Sequence, residues 1–86
     1  MGIREGVKRK SLIGRKKKLA DLQAIGARIR QVRGKVLQEE FATVLGVSQG
    51  QLSKIERGKL APTVEVLLQL VARFGKSADW ILTGED

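Results

Sequence analysis

Between residues 49 and 54 the chain sets two amides and an ammonium group, Gln49, Gln51 and Lys54, around a single glycine, Gly50. A carboxamide donates and accepts side by side, which matches N6 and N7 of adenine; a lysine ammonium donates to O6 and N7 of guanine. Ser48, Ser53, Arg57 and Lys59 stand beside them with hydroxyl and cationic donors suited to phosphate oxygens, contacts that fix register without reading bases. Gln38 adds an amide at a helix start, where free N–H groups also hold phosphate. None of this is catalytic equipment. The chain has no Cys and no His, which removes disulfides, most zinc, haem and iron–sulfur sites, and the Ser–His and Cys–His nucleophile pairs. No enzymatic activity, cofactor or metal is expected.

For these donors to face one partner they must share one side of a helix whose other side is anchored. Leu52 and Ile55 provide the anchor. At about 100° per residue, Gly50, Ser53, Lys54 and Arg57 then point outward, Gln51 lies on the flank and Gln49 at the N-terminal end. Ser48 is a fitting N-cap, and Gly58 follows the helix. Immediately upstream, Gln38 to Leu45 reads as a shorter helix, its first turn carrying Glu39 and Glu40 at the positive end of the helix dipole. Two helices joined by a tight turn cross steeply and share a small core. Phe41 and Leu45 supply apolar contacts one turn apart, Ala42 permits close approach, Gly46 tolerates positive φ, and Val47 plugs the gap. Residues 38–57 thus form a helix-turn-helix.

The remaining chain supports that unit. Leu19, Leu22, Ile25, Ile29 and Val32 recur at steps of three and four, predicting a first helix over Leu19 to Arg33, stopped by Gly34. Pro62 and Thr63 open a fourth helix that runs to Phe74 and closes at Gly75; Ser77 caps a fifth through Leu82, before Gly84. No segment alternates like a strand. The expected fold is all-α, five helices around one core over residues 19–86.

Charge is divided unevenly. The chain has 86 residues, room for one small domain, and a formal net charge of +8. Residues 1–18 carry Arg4, Lys8, Arg9, Lys10, Arg15, Lys16, Lys17 and Lys18 against Glu5 alone, a net of +7, which leaves +1 for the rest. A near-neutral globule behind a basic, glycine-containing arm suggests a polyanionic partner, nucleic acid before an acidic membrane surface; an arm that only aids solubility is the plain alternative. The aromatics Phe41, Phe74 and Trp80 fit the apolar periods of their helices, which argues for core packing and against single-strand or RNA binding by base stacking. No apolar run is long enough to span a bilayer, and none follows the basic N-terminus as in a secretory signal. A cytoplasmic protein with no membrane partner is expected.

Four segments, IGARIRQVR, QEEFATVLGVSQGQLSKIERGK, PTVEVLLQL and SADWILTGE, resemble the Cro/CI-type helix-turn-helix family, also called the xenobiotic response element family, over Ile25 to Glu85. The resemblance implies a five-helix domain like the DNA-binding domain of the lambda repressor, with the third helix in the major groove of double-stranded DNA and a homodimer on an inverted-repeat operator. It implies base contacts at Gln49, Gly50 and Lys54, with Gln51 nearby, a phosphate contact at Gln38, and a pairing of Glu56 with Arg33. The chain departs from the family at Leu37, where Ser or Thr often supplies the N-cap oxygen. A transcriptional regulator, most simply a repressor, is the expected function. The alternative is the antitoxin of a toxin–antitoxin pair, which would co-purify with a toxin. Ile81, Leu82 and the Leu60–Pro62 loop are candidate dimer contacts, or are buried within the monomer.

Overall fold

The computed structural model describes residues 21–85. The basic arm, residues 1–18, and Leu19 lie outside them. Among the described residues there are five helices and no strand: α1 (Leu22–Arg33), α2 (Gln38–Leu45), α3 (Gln49–Glu56), α4 (Val64–Phe74) and α5 (Ala78–Thr83). No helix among them is long and apolar enough to cross a membrane.

Side-chain caps begin four of the five. The carboxylate of Asp21 accepts from the Gln23 and Ala24 N–H groups at 3.1 and 3.2 Å. Ser48, Thr63 and Ser77 accept from the N–H of Gln51, Val66 and Trp80. Each such bond satisfies a donor that the first helical turn cannot, and is worth about 1 kcal/mol. The Leu37 side chain makes no such bond to α2. Asp21 also corrects the expected start of α1. Its backbone is extended, at φ −111°, so the helix begins at Leu22 and the apolar period from Leu19 does not mark its first turn.

Every helix sends side chains into one core: Ile25 and Ile29 from α1, Phe41, Ala42 and Leu45 from α2, Leu52 and Ile55 from α3, Val66 and Leu70 from α4, and Ile81 from α5. Fully burying each large member contributes roughly 1.5–3 kcal/mol. Phe74 packs its ring at 5.2 Å from that of Phe41, tilted by 50°, and Trp80 is half-buried at the core edge. Ile81 is fully buried, which removes it from the candidate dimer contacts: α5 is short, and this is its one wholly inward side chain. Arg28 ties α5 to α1 by donating to the Ile81 carbonyl at 2.9 Å.

Candidate nucleic-acid interface

The position of α3 is set from three directions. Leu52 and Ile55 are sealed in the core, so the helix cannot roll about its axis. At its N-terminus, Ser48 and Gln51 form a reciprocal capping box: the Gln51 N–H donates to Ser48 Oγ at 3.1 Å, and the Ser48 N–H donates to Gln51 Oε1 at 3.0 Å. At its C-terminus α1 lies directly against it. A Cβ built on Gly26 would stand 2.6 Å from the Glu56 carbonyl oxygen and closer still to that of Ile55, so only hydrogen permits this approach. The turn from α2 uses Gly46 at φ +80°, in the left-handed region. Val47 follows, half-buried and packed against the core.

What remains outward on α3 is polar. Gln49, Gly50, Gln51, Lys54 and Arg57 are exposed and Ser53 is half-buried. Lys59 is also exposed, beyond the helix end, and Arg57 is the C-cap residue. Arg57 folds back to donate from Nε to the Ser53 carbonyl at 3.3 Å. Gly50 has no neighbour that would resist a side chain; the nearest atom to a built Cβ is Ser48 Oγ at 4.0 Å. Its own fold therefore does not require glycine there.

Beneath the outward face runs a connected polar network. Glu56 is buried, the sole buried polar or charged residue among those described. Arg33 grips it with both arms of its guanidinium, Nε to Oε2 at 2.7 Å and Nη2 to Oε1 at 3.0 Å. The Glu56 carboxylate, chiefly through its hydrogen bonds, holds the Arg33 pKa above the ordinary arginine value against the opposing effect of burial. The third Arg33 nitrogen, Nη1, donates to the Val36 carbonyl at 2.9 Å and so shapes the α1–α2 connection. Gln38 donates from Nε2 to Glu56 Oε1 at 3.0 Å, and Gln49 donates from Nε2 to Gln38 Oε1 at 3.4 Å. The last contact is long for a hydrogen bond. It orients the Gln49 amide while leaving it easy to exchange for a better partner.

The predicted site residues therefore fall into two groups. Gln49, Gly50, Lys54, Ser53 and Arg57 share the outward side of α3. Gln38, Ser48 and Gln51 lie off that side and serve the fold: Gln38 donates to Glu56 and accepts from Gln49, and Ser48 and Gln51 cap α3. The sequence expectation overlooked Gly26 as a positioning residue and the reach of Gln38 to Glu56. A glycine inside the helical period Ile25–Ile29 was the available signal for the first, because mid-helix glycine is unfavourable and usually has a packing reason. The Ser48-x-x-Gln51 spacing was the signal for the capping box.

A family described as helix-turn-helix matches residues 27–81. The fold is similar to the P22 c2 repressor solved with a synthetic operator, at 35% identity and TM-score 0.66, covering 73% of this chain and 98% of that one. It is similar to ClgR, the clp gene regulator of Corynebacterium glutamicum, at 29% identity and TM-score 0.61, over 78% of this chain and 88% of that one. The restriction-modification controller protein C.AhdI of Aeromonas hydrophila shares the fold at 23% identity and TM-score 0.62, over 72% and 97% of the respective chains. No curated protein sequence matches the chain.

Proposed function

Because the chain belongs to the Cro/CI-type helix-turn-helix family, we propose that it is a DNA-binding transcription regulator, acting as a repressor by occupying an operator with α3 in the major groove. The observation that carries this is the outward side of α3: an exposed polar face with a cation and two amides, on a helix held from behind by Leu52, Ile55 and Gly26. Gln49 and Lys54 are the base readers. Gln51 reads only with its amide nitrogen, since its oxygen serves the capping box. Gly50 is the point of closest backbone approach to the duplex. Ser53, Arg57 and Lys59 take phosphates. So does the start of α2, where the first N–H groups lack intrahelical partners and Leu37 offers no side-chain cap. Ser48, the N-cap of α3, contributes a phosphate contact by turning its hydroxyl proton from Gln51 Oε1, 3.3 Å away, to the phosphate.

Two copies read two half-sites of an inverted repeat, one helical turn apart. Selection of bound sequences from a random duplex pool tests this. A recovered inverted repeat is the expected result; a pool with no enriched motif would refute sequence-specific binding. On the selected site, Lys54→Ala is expected to relax preference at one base position and weaken binding by about 1–3 kcal/mol.

The arm, residues 1–18, adds affinity without discrimination through its seven clustered cations Lys8, Arg9, Lys10, Arg15, Lys16, Lys17 and Lys18. Each phosphate it neutralises steepens the log–log salt dependence by about 0.9. Deleting these residues is expected to weaken binding at low salt and flatten that slope, measured by titration at several ionic strengths. An unchanged slope would remove the arm from the interface.

A further inference from the structure

Two cavities open side by side between α1, the end of α4 and the start of α5. One holds about 250 Å³ and is lined by Val32 and Phe74 together with Gln31, Lys76 and Trp80. The other holds about 380 Å³ and adds Gly75 and Ser77 to the last three. Sharing three walls, they are two halves of one cleft. The fold accounts for it. Arg28 ties α1 to α5 through the Ile81 carbonyl; about one turn further along α1, at Gln31 and Val32, and back along α5 to Ser77, the cleft opens. Gly75, at φ +67° in the left-handed region, turns the chain out of α4 so that Lys76 and Ser77 form the far wall.

The lining is divided by chemistry. Val32, Phe74 and Trp80, all half-buried, present a branched aliphatic group and two ring systems. Gln31, Lys76 and Ser77, all exposed, present an amide, an ammonium and a hydroxyl. Lys76 Nζ stands over the Trp80 ring, 5.3 Å from its centre, which holds the ammonium beside the apolar part. It is the one charge in either lining, and no carboxylate shares the cleft with it. Ser77 Oγ accepts from the Trp80 N–H at 3.0 Å, which leaves its own proton to donate.

We propose that this cleft binds a small aromatic carboxylate, its ring against Val32, Phe74 and Trp80 and its carboxylate toward Lys76, Gln31 and Ser77. Sites for small organic ligands are concave, apolar in the main and fitted with a few convergent polar groups; the larger cavity alone is within their usual span of roughly 300–1,000 Å³. A cation with neutral donors and no acid beside it selects an anion. Two ring systems favour a flat aromatic partner by offset or edge contact. None of these residues belongs to the surface assigned to DNA, so the proposal is independent of that reading.

Trp80 is the chain's one tryptophan, so its indole N–H gives a single NMR signal inside the cleft. Naphthylacetate, titrated into the isotopically labelled full chain without DNA, is expected to move that signal saturably with a Kd of about 1 mM, ordinary for a ligand of this size. The shifts should concentrate on Val32 and on Phe74 to Trp80. Naphthylacetamide, the same ring without the charge, is expected to bind about two- to fivefold more weakly, the worth of one exposed ion pair. Lys76→Gln should bind acid and amide alike while its melting stays unchanged, because Lys76 is exposed. Shifts spread over Lys54, Arg57 and the basic arm with Trp80 unmoved, or no saturable shift at all, would overturn the site. Equal affinity of the wild type for acid and amide, or an acid affinity untouched by Lys76→Gln, would overturn its selection of an anion.

Discussion

Glu56→Ala is expected to reduce the unfolding free energy by about 3 kcal/mol, the low end of the range for breaking a buried ion pair from one side. The low end applies because the Arg33 side chain is 17% exposed and can regain some hydration when its partner is lost. What remains is a largely desolvated guanidinium without a carboxylate, and a Gln38 amide without its acceptor. For a domain of this size each kcal/mol moves Tm by about 4–8 °C, so thermal melting reads the effect directly. Replacing both partners, Glu56→Leu with Arg33→Met, is expected to recover most of the loss, since an apolar pair carries no desolvation cost. A single-variant loss below about 1 kcal/mol would show that the pair is structurally dispensable. Glu56→Gln should fall between, retaining shape and part of the bonding but not the charge.

Gly26→Ala is expected to destabilise by a similar amount, about 3 kcal/mol or more. Alanine is intrinsically favoured over glycine in a helix interior by up to about 1 kcal/mol, which opposes the effect. The steric cost dominates because the atoms in the way are the backbone carbonyls of Ile55 and Glu56. They belong to the last turn of α3 and cannot rotate aside as a side chain would, so α1 and α3 must separate and their shared core loosens. Because the displaced turn carries Glu56, the two substitutions should be less than additive in a double-mutant cycle. Gly50→Ala is the internal comparison. It meets open space, so denaturant unfolding should show unchanged or slightly raised stability. Equal losses at the two positions would refute the close-approach account of Gly26.

How much of this was legible in the sequence varied with the range over which each feature acts. The bounds of α2 follow from local chemistry, Glu39 and Glu40 in the first turn and Gly46 at the stop, and the structure has Gln38–Leu45 as expected. The caps Ser48, Thr63 and Ser77 were equally local. The start of α1 was misread because Leu19 and Leu22 extend the apolar period past Asp21, and a period alone does not show where the backbone turns extended. Ile81 was ambiguous because Trp80, Ile81 and Leu82 are consecutive apolar residues, and only the packing against α1 and α4 decides which one points inward. The network beneath α3 joins residues 11, 18 and 23 positions apart. Such contacts depend on how three helices cross, which no local pattern encodes.

On the proposed reading of DNA by α3, the contact between Gln38 and Gln49 bears on how base preference can change over generations. A new side chain at 49 removes the donor that Gln38 Oε1 accepts from, and a new side chain at 38 leaves Glu56 with one donor fewer. Under that reading, a change at 49 and a change at 38 each alter the other's surroundings, so some new preferences are reached only when both positions vary. A library that randomises 38 and 49 together should yield functional readers of new sites that one randomising 49 alone does not contain.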